Sequence, residues 1–190
     1  MPDRSSLSEG RSRPSNALAG PVPANPLPRR AWPGSTPGVA GNPSIEVVVA
    51  TRGWHGVLST RQAERAVLAA CEAGTMGHVT VLLADDRTLK ALNTQHRGKE
   101  KPTNVLSFPG HPPALGDIAL SLQTVRREAR AEGRRPAAHA AHLVAHGTLH
   151  LLGHDHLEAG EARRMERAES RAMHRLRLPN PWAPGGGRAA

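Results

Sequence analysis

Apolar and polar positions change rhythm several times between Ser44 and Leu178, and each rhythm specifies an element. "IEVVVA" (45–50) is a short run of β-branched residues and predicts a strand. In "STRQAERAVLAACEAG" (59–74) the apolar positions return every three or four residues, which predicts a helix. Ser59 and Gln62 stand there at capping-box spacing. "HVTVLLA" (78–84) reads as a second strand. "DDRTLKALNTQHRG" (85–98) reads as a helix opened by Asp85 and stopped by Gly98. "NVLSF" and "GDIALS" predict two further strands separated by a Pro/Gly turn. Three helices follow, at about 122–132, 137–152 and 159–176. No internal repeat interrupts this order. The expected fold class is α+β, one domain with a small sheet first and a histidine-bearing helix near the C-terminal end.

Outside 44–178 the pattern fails. Residues 1–43 are dominated by Pro, Gly, Ser, Ala and Arg without apolar periodicity, and 179–190, "PNPWAPGGGRAA", share that character. Such segments bury too little surface to offset their ordering entropy. They are expected to be a disordered extension and a flexible tail. The chain has 25 Lys and Arg against 16 Asp and Glu, a formal charge of +9, which favours an anionic partner such as nucleic acid. The N-terminal segment's arginines are partly offset by Asp3 and Glu9, so the core itself is basic. With one Phe, three Trp and no Tyr, broad aromatic platforms for stacking bases are not expected. Cys71 is the only cysteine, which rules out an intrachain disulfide and a thiolate cluster, and its Ala-rich surroundings predict burial. No run approaches the roughly 18 apolar residues of a membrane span. Prolines break the N-terminal apolar stretch, so a cytoplasmic location is expected, with an organellar transit peptide as the alternative.

The densest chemistry lies in "HGTLHLLGHDH" (146–156). His146 and His150, four apart on a helix, project from one face and can share a metal ion. Gly153 can end that helix in a left-handed cap and bring His156 back as a third ligand. Three protein ligands with an open position describe a catalytic zinc site, one Zn2+ per chain. Imidazole-only ligation also suits Ni, Cu or Fe. His139 and His142 fall on the same helical face as weaker candidates. Asp155 could orient a ligand histidine or cap the turn, and His154 is expected to face solvent or line the pocket. The spacing matches a zinc-protease signature except that Gly147 replaces its glutamate general base, which disfavours peptide hydrolysis. Attack on a phosphodiester remains open, and it calls for a Lys or Arg to stabilise charge on the phosphoryl oxygens.

Together, "LNTQHRGKEKPTNVLSFP" (92–109), "GDIALS" and "HLVAHGTLHLLGHDH" resemble the YbeY endoribonuclease family over about 45–176. The resemblance implies a single zincin-like domain with a mixed sheet, and zinc held by His146, His150 and His156. It implies Arg97 as the functional arginine, and single-strand-specific RNA cleavage in 16S rRNA 3′-end maturation and ribosome quality control. The implied partners are single-stranded RNA, rRNA and the small ribosomal subunit, with no membrane and no DNA. Asn104 and His154 depart from the family's usual Asp and Tyr. Ser107 and Asp117, at strand ends near the expected cleft, read as turn and strand-end hydrogen bonders. Arginines in "VRREARAEGRR" (125–135) form either an RNA-facing stripe or a solvated face diluted by Glu128 and Glu132. The rival readings are a non-catalytic, zinc-stabilised ribosome assembly factor and a zincin-type metallopeptidase.

Overall fold

The structure, a computed structural model, describes residues 41–155 and 158–182. The N-terminal extension up to residue 40, and residues 156, 157 and 183–190, lie outside the described residues. Among the described residues four strands form one sheet: β1 (Ser44–Val49), β2 (His78–Ala84), β3 (Val105–Pro109) and β4 (Ala114–Ser121). Their order is β1-β2-β4-β3, with β1, β2 and β4 parallel and β3 antiparallel on the edge. The helices are α1 (Thr60–Ala70), α2 (Asp86–Arg97), α3 (Leu122–Ala131), α4 (Pro136–Leu151) and α5 (Ala159–Leu176). The fold is therefore α+β with a mixed sheet.

Element ends follow local chemistry. Ser59 and Gln62 form the expected capping box on α1. Asp85 accepts the Thr88 N–H at 2.9 Å to open α2, and Gly98 closes it at φ 63°. Helix α1 stops at Ala70, short of the expected Gly74; Cys71 leaves the helix in an extended conformation and is buried. A 3-10 turn at Arg52–Gly56 was not expected from the sequence. It carries Trp54 into the core, where the indole N–H donates to the Ala84 carbonyl at 2.8 Å. At the other end, the first residues of the segment expected as a flexible tail pack back onto the domain. Arg134 donates to the Pro181 carbonyl at 3.0 Å, and Ser170 on α5 donates to Asn180 at 3.2 Å.

Strand alternation divides the core between the two faces of the sheet. Val79, Val81, Val105, Ile118 and Leu120 pack with α1, α3 and α4 on one face. Leu106, Phe108 and Ala119 pack with Leu89 and Leu92 of α2 on the other. Helix α5 covers the outer side of α1 and α4 through Met165, Ala168 and Ala172. Helix α4 is thus enclosed by the sheet on one side and α5 on another, which accounts for its nearly continuous burial. Among the described residues no helix is long and apolar enough to cross a membrane.

Candidate metal centre

Helix α4 turns its histidines away from the sheet. His146 is 3% exposed, and its Nε2 faces the Nε2 of His150 at 3.2 Å, with the two rings nearly perpendicular. Two nitrogens bound at about 2.0–2.1 Å to one tetrahedral zinc stand about 3.3 Å apart. The pair therefore fits a shared ion. After His150 the chain reverses as expected. Gly153 takes φ 84°, its N–H donates to the His150 carbonyl, and the His154 N–H reaches back to the Leu149 carbonyl, both at 3.0 Å. The third expected ligand, His156, lies outside the described residues. No third His, Cys, Asp or Glu completes a metal set among the described residues.

The other side of His146 is held by a residue the sequence did not suggest. Nδ1 of His146 lies 2.5 Å from Glu169 Oε1 on α5, and His142 Nε2 lies 3.0 Å from Oε2 of the same carboxylate. Glu169 is 1% exposed. Burial alone would raise its pKa, but the hydrogen bonds from His142 and His146 outweigh it and hold the carboxyl far below the ordinary range. An ionised carboxylate only accepts, so both imidazoles donate to it. His146 is thereby fixed with the proton on Nδ1 and the lone pair on Nε2, the tautomer a metal ligand needs. Burial pushes the His142 pKa below the usual imidazole range. The Nε2 of His142 is committed to Glu169, and that of His139 is committed to Glu128 at 2.9 Å. The Nε2 atoms of both weaker ligand candidates are thus occupied elsewhere, while their Nδ1 atoms are buried without a hydrogen-bond partner among the described residues.

Gly147 explains the absent glutamate. A Cβ at this position would lie 2.9 Å from Ser107 Oγ and 3.0 Å from Ile118 Cγ2. The position faces the sheet, so a carboxylate there has no room and no access to the histidines. Ser107 is accordingly a packing neighbour of α4. Asp117 pairs in register with Phe108, on the α2 face. Asn104 donates to Glu128 at 3.0 Å and accepts the Val105 N–H at 2.7 Å, so its amide ties β3 to α3. His154 lines a cleft of about 230 Å³ with Leu149, Leu152, Arg171 and Arg175.

Arg97 ends α2, on the opposite face of the sheet from α4. The neighbouring His96 meets Phe108 edge-on at 5.3 Å, and Leu151 packs beside Gly116, which pairs with Pro109. Arg97 and the end of α4 therefore stand at the same end of the edge strand β3, with no further strand among the described residues to separate them. No hydrogen bond or ion pair joins Arg97 to the histidines among the described residues. Its Nε is buried without a partner, and burial lowers its pKa.

The family described as Endoribonuclease YbeY matches residues 53–177. The Endoribonuclease YbeY of Rhodopseudomonas palustris (strain HaA2) is 43% identical over 163 residues, covering 74% of this chain and 82% of that protein. The protein of the same name from Chelativorans sp. (strain BNC1) is 43% identical over 160 residues, covering 77% and 98%. The chain belongs to the YbeY endoribonuclease family. The solution structure of TM1509 from Thermotoga maritima is similar over 74% of this chain and 99% of its own, at 24% identity and a TM-score of 0.47. The YbeY match spans α1 through α5 and so includes Arg97, the α4 histidines and Glu169.

Proposed function

We propose that this chain is a zinc-dependent, single-strand-specific endoribonuclease of 16S rRNA 3′-end maturation and ribosome quality control, acting in the cytoplasm on the small subunit. The observation that carries the reading is the Nε2 pair of His146 and His150 at 3.2 Å, with the His146 tautomer set by Glu169, in a YbeY-family chain. His146 and His150, with His156, would hold the ion. When bound, zinc supplies Lewis-acid stabilisation of charge on the phosphoryl group. The guanidinium of Arg97 binds the scissile phosphate and favours its transition state. The formal charge of +9 draws the polyanion to the protein. Gly147, packed against the sheet, supplies no general base, which argues against a peptidase.

Metal content and RNA cleavage measured on one purified sample test the reading. About one zinc per chain is expected, the ordinary occupancy of a three-ligand site. His150→Ala should lose most of the zinc and the cleavage of single-stranded RNA together, and casein should remain intact throughout. Zinc-bearing protein that leaves RNA uncut would favour the non-catalytic assembly factor. Full zinc in the His150→Ala protein would refute the ligand assignment.

A further inference from the structure

Beyond α5 the chain turns back toward the buried carboxylate. Arg177 takes a left-handed conformation (φ 57°) and the Leu178 N–H reaches the Met173 carbonyl at 3.0 Å, which stops the helix. Asn180 then accepts the backbone N–H of Trp182 at 3.0 Å, an Asx turn that reverses the next two residues. The contacts of Arg134 with Pro181 and of Ser170 with Asn180 pin this turn to the α3–α4 connection and to α5. The indole is thereby aimed inward. Trp182 Nε1 donates to Glu169 Oε2 at 2.7 Å, and the ring stands edge-on to His142 with centroids 6.5 Å apart.

Glu169 thus receives three N–H donors, from His142, His146 and Trp182. A carboxylate this deeply buried is costly unless its lone pairs are satisfied, and donors from separate elements fix its plane as well as its charge. His142 and Trp182 share Oε2, which leaves Oε1 directed at His146 Nδ1. Removing the indole N–H leaves Oε2 with His142 alone and frees the carboxylate to rotate away from His146.

We propose that Trp182 is a positioning residue of the metal centre, completing with His142 the donor set that fixes Glu169 and so keeps His146 Nε2 turned toward His150. The inference rests on the zinc reading above and extends it to the segment after α5. The test compares the full chain with its Trp182→Phe variant, which keeps a ring and loses the N–H. Zinc affinity is read by chelator competition, the His146 tautomer by nitrogen-15 NMR of zinc-free protein, and folding by thermal melting of zinc-free protein. Zinc affinity should fall by about 10-fold, the lower range for loss of a group supporting a ligand. The His146 ring should lose its single Nδ1–H tautomer. The melting temperature should fall only by the modest amount that losing one donor to a buried carboxylate costs, because the Trp182 ring itself is 42% exposed and adds little packing. Glu169→Gln, whose amide cannot accept from all three donors at once, should shift tautomer and affinity in the same direction and further. Unchanged affinity and tautomer in Trp182→Phe would overturn the proposal. So would an affinity loss matched by a lower melting temperature with the tautomer intact, which would make Trp182 a packing residue. If the unaltered chain takes up no zinc, the functional reading fails, and the tautomer comparison still decides whether Trp182 positions His146.

Discussion

At residue scale, Gly147 and Arg97 separate what packing requires from what chemistry requires. Replacing Gly147 by Ala would gain up to about 1 kcal/mol of helix propensity. The new methyl would meet Ser107 Oγ at 2.9 Å and Ile118 Cγ2 at 3.0 Å, and overpacking of that kind costs about 1–3 kcal/mol. Packing wins, because both neighbours are anchored on paired strands. Gly147→Ala should lower stability to denaturant by about 1 kcal/mol net, and adding Ser107→Ala, which removes one of the two contacts, should return part of it. A Gly147→Ala protein as stable as the parent would show that α4 can lift from the sheet freely. Arg97 calls for the opposite pattern. Arg97→Ala should depress cleavage of single-stranded RNA by about one to three orders of magnitude, the usual loss when a transition-state electrostatic partner is removed. Zinc content should stay unchanged, since the residue is no ligand. Arg97→Lys should recover only part of the activity, because an ammonium lacks the planar fork that pairs with phosphate. Cleavage at the parental rate in Arg97→Ala would reduce the residue to an ordinary surface charge.

At the scale of elements, α2 matters because its end places Arg97, and its start is set by one carboxylate. The backbone N–H and the hydroxyl of Thr88 both donate to Asp85 and hold its pKa below the ordinary carboxylate value. A lowered folded pKa means a stabilisation complete above the unfolded value and lost as the pH falls through the folded one. Asp85→Ala should therefore cost about 1 kcal/mol at neutral pH, the usual worth of such a cap. Denaturant melts at successively lower pH should show that difference shrinking; a difference independent of pH would remove the cap as its cause. Asp85 and Gly98 also show why most of the fold was legible. Caps and turn residues mark where a periodicity begins and ends, so β2 and α2 fall where the sequence places them. Trp54 was not legible, because a single turn of 3-10 helix has no periodicity to read. Of the site, the His146–His150 pair was legible from spacing alone. Glu169 was missed because α5 alternates Arg and Glu so freely that one more acid reads as surface. The available signal was its place between Ala168 and Ala172 within the apolar stripe that starts at Met165. Trp182 was missed for a compositional reason: Pro and Gly around it resemble a tail, whereas Asn180 makes a turn of it.

For the whole molecule, the question is which of its charges meets RNA. The formal charge is +9, and residues 1–43 contribute arginines offset in part by Asp3 and Glu9. Most of the excess therefore belongs to the domain. Exposed arginines lie on α3 and along α5, where Arg171 and Arg175 border the cleft that His154 also lines. A protein neutralising phosphates on a single strand releases counterions, and the logarithm of its affinity falls with that of salt by about 0.7 per phosphate contacted. With roughly four contacts, raising salt from about 50 to 200 mM should weaken single-stranded RNA binding by about 50-fold. A chain starting at Ser44 should keep most of that slope and melt near the full-length temperature, since the removed segment has the composition of one that builds no core. Binding isotherms across a salt series, run on both proteins with the same oligonucleotide, check both expectations. If the shortened chain binds RNA with a nearly flat salt response, the electrostatic contact belongs to the N-terminal arginines and the domain's basic surface is only a solvated face.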